Sequence, residues 1–306
     1  MNNVIITGAT SMLGVALISE CLKRKTSVTA IVRKNSQKKY LIPNSKLTTI
    51  IECDASSFAS LAIDVQLGFD AFYHFAWEGT KNTDRNIVDT QYRNITYTLD
   101  AVRLAQRLKC NKFIGSGSQA EYGRAEGMIN PEMAVSPDTA YGVSKYASGR
   151  LSAILAKQIG LDFIWLRIFS IYGVNDTPST MIMYCIDSLL KGEKPILTQC
   201  GQRWDYLNCR DAARAFYLLG ERGQSQCIYN IGNGVARPLS DYVYEIRDAI
   251  DPVLPLGLGE REYSPNQVMN LCPDISTLKR DTGFKPLISF SDGIRETIEW
   301  FRGVTK

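Results

Sequence analysis

Tyr141 and Lys145 stand four apart in Tyr141-Gly142-Val143-Ser144-Lys145, a spacing that puts both side chains on one face of a helix. A free phenol ionises near pH 10. A neighbouring ammonium and a positively charged nicotinamide ring both favour its phenolate, and such a phenol can move a proton at neutral pH while hydride passes to or from the ring. Two hydroxyls stand upstream in Ser116-Gly117-Ser118, which ends the strand begun by the apolar run Lys112-Phe113-Ile114-Gly115. With 15 tyrosines in the chain, a Tyr/Lys pair at this spacing arises readily by chance, so its weight comes from its surroundings.

A second group could hold a pyrophosphate. Thr7-Gly8-Ala9-Thr10-Ser11-Met12-Leu13-Gly14 follows the strand-like run Val4-Ile5-Ile6 and opens an amphipathic stretch. Backbone N–H groups at a helix N-terminus bind such an anion if the chain can come close. Gly8 permits the tight turn, Gly14 lets the helix approach the strand, and Ser11 replaces the middle glycine of the usual pattern. At the end of the second strand, an acid would bind ribose hydroxyls and an arginine a 2′-phosphate. Arg33-Lys34 stand there without an acid, which favours NADP and leaves NAD open. Asp54, ending the third strand, is a candidate for the adenine amino group and equally a helix cap.

These groups need elements to position them. Strands are expected at Val4–Ile6, Val28–Val32, Thr49–Cys53, Ala71–Phe75, Lys112–Gly115, Phe163–Arg167 and Cys227–Ile231, with helices over Leu13–Lys23, Ile87–Leu108 and Tyr141–Ile159. Alternating strands and helices predict an α/β fold: a Rossmann-type, doubly wound parallel sheet. After about Tyr172 the pattern loosens, and Pro252–Pro273 is rich in loop signals. The expected division is a dinucleotide-binding Rossmann domain over 1–173, with about 205–235 returning to it, and a smaller mixed α/β lobe over 174–204 and 236–306.

The rare residues exclude other chemistries. His74 is the one histidine, which excludes a histidine-rich metal centre and leaves a Ser-His-Asp hydrolase no other base. Eight cysteines form no Cys-x-x-Cys pair and read as reduced core thiols, so no metal is expected. A net charge of +4, spread along the chain, gives no nucleic-acid footprint. Hydrophobic residues at 45% exclude disorder. No apolar run approaches the roughly 20 residues of a membrane span. The first residues lack the basic start and apolar stretch of a signal peptide, so a cytoplasmic protein is expected.

Further pieces complete the pattern: His74-Phe75-Ala76, Asn94 with Thr98-Leu99, Tyr122-Gly123, Leu166 to Gly173, Trp204-Asp205-Tyr206 with Asp211, Tyr229 to Gly232, and Asp274 with Gly283 to Pro286. In this order the chain resembles an extended short-chain dehydrogenase/reductase, in the branch of nucleotide-sugar epimerases, dehydratases and 4-ketoreductases. The resemblance implies Tyr141 as acid/base, Lys145 as the partner that binds the nicotinamide ribose and lowers the Tyr141 pKa, and Ser118 as a hydrogen-bonding partner of the reacting sugar oxygen. It places Gly8, Thr10, Ser11, Met12 and Gly14 of the glycine turn, with Ala76, Asn94 and Ser116, beside the cofactor. It places Trp77, Ser118, Tyr122, Ser170, Arg203 and Arg261 on a nucleotide-diphosphate sugar. It also implies a homodimer through the helices near 87–108 and 141–159.

Two departures narrow the chemistry. The 4,6-dehydratases carry an acidic pair after the Ser/Thr position, whereas Gln119-Ala120 stand here. Trp204 precedes Asp205 where an arginine is usual, with Arg203 one place earlier. The leading expectation is a C4 epimerase acting by transient oxidation and hydride return. The alternatives are an NADPH-dependent 4-ketoreductase of deoxysugar synthesis and a non-catalytic NADP-sensing protein, the latter disfavoured because Ser118, Tyr141 and Lys145 occur together.

Overall fold

A computed structural model describes residues 1–63, 68–125, 127–265 and 267–304. In chain order the elements are β1 (Asn3–Thr7), α1 (Met12–Lys23), β2 (Ser27–Val32), β3 (Thr48–Glu52), β4 (Ala71–His74), α2 (Val88–Arg107), β5 (Lys112–Ser118), β6 (Gly127–Ile129), α3 (Ala140–Gln158), β7 (Asp162–Ile168) and β8 (Ser170–Tyr172). They continue with α4 (Met181–Leu190), β9 (Arg203–Trp204), β10 (Tyr206–Asn208), α5 (Cys209–Arg222), β11 (Cys227–Ile231), β12 (Arg237–Pro238), α6 (Leu239–Ile250), β13 (Asn270–Pro273), α7 (Ser276–Thr282) and α8 (Phe290–Val304).

Seven strands form one parallel sheet in the order β11-β7-β5-β4-β1-β2-β3. Its central strands are continuous apolar runs because both faces are covered. Val4 and Ile6 pack with Leu17, Phe216 and Leu219 on one face, while Ile5 and Phe72 pack with Ala101, Leu104 and Ala156 on the other. All eight cysteines are free thiols, and all but Cys227 are buried. The strand order reverses between β1 and β4, which are in register from Val4↔Ala71 to Thr7↔His74. A crevice at the carboxyl ends of two such strands is where doubly wound sheets bind ligands.

Two smaller sheets complete the architecture: β8 with β10, and β12-β9-β13-β6. β6 precedes residue 173 yet pairs with β13, so the chain passes between the large and small sheets more often than the expected division has it. β5 runs to Ser118, through the Ser116-Gly117-Ser118 expected at its end. Its glycines are strand residues: a Cβ on Gly115 would lie 2.4 Å from the Trp165 ring on β7, and one on Gly117 would lie 2.3 Å from the indole nitrogen. Glycine in a strand interior here marks close approach by a neighbour rather than a turn.

Candidate active site

The loops after β1 and β4 touch. Gly8 has φ +65°, and a Cβ there would lie 2.6 Å from the Phe75 carbonyl carbon and 2.7 Å from the Ala76 nitrogen. A Cβ on Gly14 would lie 2.4 Å from the Gly8 carbonyl oxygen. Ser11 caps α1, its Oγ accepting from the Gly14 N–H at 3.1 Å. No acidic residue occupies the first turn of α1, so the N–H groups after Ser11 present an uncompensated positive end that fits a pyrophosphate. Thr10 and Met12 are half-buried beside it.

The wall of this crevice is fixed from below. Thr7 Oγ1 and His74 Nδ1 lie 2.9 Å apart, and the Ala76 N–H donates to Thr7 Oγ1. Burial, aided by the charge on Lys145, brings the His74 pKa down to about 3, so the ring stays neutral. Asn94 spends its amide on the same wall: Oδ1 accepts from the Glu78 N–H at 2.9 Å, and Nδ2 donates to the Glu78 and Thr90 carbonyls. It supports the loop carrying Ala76 and Trp77.

α3 starts at Ala140, after the Thr139 cap, and carries Tyr141 and Lys145 against the end of β5. Lys145 Nζ donates to the Ser116 carbonyl at 2.6 Å and sits 3.6 Å from the centre of the Trp77 ring. Trp77 meets Tyr141 edge-on at 5.9 Å, and its indole N–H donates to Gln91. Ser118 Oγ accepts from the Ala120 N–H at 3.2 Å, which leaves its own hydrogen available to the Tyr141 phenol, whose pKa it lowers. Ser116, Ser118, Tyr141, Lys145 and Trp77 thus form one cluster.

Burial dominates the electrostatics. It pushes the Tyr141 phenol above its ordinary value, while the Ser118 hydroxyl and the Arg85 guanidinium pull back and Glu121 adds to the rise. Burial also brings Lys145 down to about 7, against the opposing pull of Glu121. Arg85, absent from the sequence-based candidates, lies 4.9 Å from the centre of the Tyr141 ring, and its carbonyl accepts from the Tyr141 N–H. Glu121 was also not singled out; the Ser-x-x-Glu spacing from Ser118 is the signal that marks it.

Other candidates lie apart. Arg33 and Lys34 are exposed beyond β2. Asp54 accepts from the Lys34 N–H at 3.1 Å, and Glu52 holds the Asn35 N–H and Lys39, so the acid ending β3 and the one just after it brace the turn after β2. Ser170 Oγ accepts from the Trp204 indole at 2.8 Å. Arg203 and Arg261 are exposed, Arg203 donating to the Ala236 carbonyl. Tyr122 is buried, its hydroxyl donating to Asn230 Oδ1 at 2.6 Å and its ring covered by Arg167, so its phenol is already committed within the protein.

The pattern of the NAD dependent epimerase/dehydratase family matches residues 4–232. The chain belongs to that family. Among its relatives, the dTDP-glucose 4,6-dehydratase of Streptomyces niveus is 26% identical over 79% of this chain and 73% of its own. The dTDP-4-dehydro-6-deoxyglucose reductase of Escherichia coli is 22% identical over 98% of each chain. The chain spans about half the length of the dTDP-glucose 4,6-dehydratases of Salmonella typhimurium and Escherichia coli that it matches. The solved UDP-N-acetylglucosamine 4-epimerase of Methanobrevibacter ruminantium M1 superposes with a TM-score of 0.88 at 22% identity, over 99% of both chains. The epimerase/dehydratase fold is therefore shared across the whole molecule.

Proposed function

We propose that this family member is an epimerase acting at C4 of a nucleoside-diphosphate sugar, with NADP favoured over NAD and a homodimer as its working form. The observation that carries this reading is the cluster at the end of β5 and the start of α3, where the Ser118 hydroxyl lowers the pKa of the buried Tyr141 phenol and Lys145 Nζ donates to the Ser116 carbonyl. Ser118 holds the C4 oxygen. Tyr141 takes its proton as the sugar is oxidised and returns it as the sugar is reduced. A bound nicotinamide supplies the acceptor and donor of the C4 hydride, and its positive charge draws Tyr141 toward the phenolate. Lys145, oriented by the Ser116 carbonyl, is placed to bind a ribose hydroxyl, and Trp77 walls the pocket against water.

Eliminating water would require an acid and a base after Ser118. Gln119 and Ala120 offer an amide and a methyl, neither of which exchanges protons near neutral pH. Support for NADP comes from Arg33, exposed beyond β2 while Asp54 and Glu52 are engaged by other donors. In this reading 1–173, with 205–235, hold the cofactor. Residues 174–204 and 236–306 hold the nucleotide, with Ser170, Arg203 and Arg261 toward the diphosphate.

The test is incubation of the purified protein with UDP-, dTDP-, CDP- and GDP-linked sugars, following isomer composition and NADPH absorbance together. Exchange between C4 epimers with flat absorbance is expected, with Arg33→Ala weakening NADP binding more than NAD binding. Stoichiometric NADPH loss with a 4-ketosugar would assign a reductase instead, and equal affinity of the unaltered protein for both cofactors would contradict the NADP preference.

A further inference from the structure

Behind Ser118 lies a buried polar chain that the proposed reaction does not use. Glu121 and Arg167 are 1% and 3% exposed, and Arg167 Nε donates to Glu121 Oε2 at 2.9 Å. Glu121 Oε1 accepts from the Ser118 N–H at 2.8 Å and from the Trp165 indole N–H at 2.9 Å. Arg167 is fixed in turn, donating to the Pro131 carbonyl at 2.9 Å and covering the Tyr122 ring at 4.5 Å. Three donors thus converge on two oxygens. A glutamine could not replace the carboxylate, because its NH2 would face one of those donors.

The space around this chain is cleared on both sides. A Cβ on Gly117 would lie 2.3 Å from Glu121 Oε1. A Cβ on Gly149 of α3 would lie 2.7 Å from the Trp165 ring. The helix that carries Tyr141 and Lys145 therefore rests on the indole that Glu121 binds, while the same carboxylate oxygen holds the backbone of Ser118. Ser118 and Glu121 also form a capping box for the short 3-10 turn Gln119–Tyr122. A cap alone needs neither the buried arginine nor the indole.

We propose that Glu121 is a positioning residue, whose carboxylate, by binding Ser118, Trp165 and Arg167 at once, holds the Ser118 hydroxyl in register with Tyr141 across the gap between β5 and α3. This rests on the roles proposed above for Ser118 and Tyr141. The charged groups around Tyr141 are Lys145 on its own helix, Arg85 from the loop before α2 and Glu121 from the turn after β5, with Arg167 of β7 behind Glu121. Of these, Glu121 opposes the phenolate and Arg85 favours it.

The test is Glu121→Gln in the full protein, read by the kcat pH profile and by ultraviolet titration of the Tyr141 phenolate, isolated by difference from Tyr141→Phe. Cofactor affinity is expected to hold. kcat is expected to fall by roughly ten- to a hundredfold through misplacement of Ser118, and the phenolate transition to move to higher pH, because the Ser118 donor lowers the phenol pKa by more than the Glu121 charge raises it. In a Ser118→Ala background the same change is expected to cost less than about threefold, because its effect passes through Ser118. Full kcat in the folded single variant, or a penalty undiminished in the Ser118→Ala background, would overturn the proposal. Glu121→Gln/Arg167→Met removes both charges and avoids stranding the arginine should the single variant not fold. It is expected to keep the kcat loss and the upward pH shift, and full kcat would again overturn the proposal. If no nucleotide sugar is turned over by the unaltered protein, the proposed function fails, while the phenolate titration still decides on Glu121: an unmoved or lowered transition rejects it.

Discussion

Lys145 is an ammonium enclosed by a carbonyl, an indole face and a phenol, and burial holds its pKa near 7 in the folded chain against an ordinary value of 10.5. A depressed lysine pKa is a stability cost. It is borne in full below pH 7, where the group is charged in both folded and unfolded chains. It fades between pH 7 and 10.5, where the folded form has shed its proton and the unfolded form has not. Lys145→Met is therefore expected to raise the denaturation midpoint of the cofactor-free protein at pH 6, and the gain should shrink steadily toward pH 10. A gain that is absent at pH 6, or that grows with pH, would show that Lys145 is not buried as a cation. The Tyr/Lys spacing made this residue legible in sequence. Arg85 was not legible, because its contact with Tyr141 depends on how the loop before α2 folds back onto the start of α3. Glu121 was partly legible through its Ser-x-x-Glu spacing, but its partners Trp165 and Arg167 become neighbours only when β7 pairs with β5.

Among the elements, strands were legible where burial on both faces makes a continuous apolar run, as in β1 and β4. The end of β5 was legible as Ser116-Gly117-Ser118, though not the reason for its glycines: Gly115 and Gly117 leave room for Trp165 above them. β6 carried no such signal, being three residues long and paired with β13 from the far end of the chain. The helices α2 and α3 pack side by side and leave apolar residues outward: Val88 and Tyr92 on α2, and Val143, Leu151 and Ile154 on α3. Leu151 is 45% and Ile154 53% exposed on this shared face. A two-fold contact through this face would bury it, in keeping with the proposed homodimer. Light scattering should then give twice the 34.2 kDa chain mass for the unaltered protein and the single mass for Leu151→Glu. A monomer in both would reject the dimer.

At the scale of the whole molecule, one topological fact organises the chemistry. The sheet reverses between β1 and β4, and the glycine turn, the Ala76–Trp77 wall, the Ser116–Ser118 strand end and the start of α3 all converge near that point. The small sheet, built from β6, β9, β12 and β13, draws on distant parts of the chain, which is why the alternation of strands and helices predicted the large sheet well and the rest only as a mixed remainder. No helix among the described residues is long and apolar enough to cross a membrane. The central claim is that Tyr141 moves a proton while the C4 hydrogen leaves and returns as hydride. Its most direct test is a nucleotide sugar deuterated at C4, equilibrated with the protein in ordinary water. The label should be retained at C4 in both epimers, and Tyr141→Phe should leave the sugar essentially unconverted while still binding the cofactor. Loss of the label to solvent, or full conversion by Tyr141→Phe, would contradict the account.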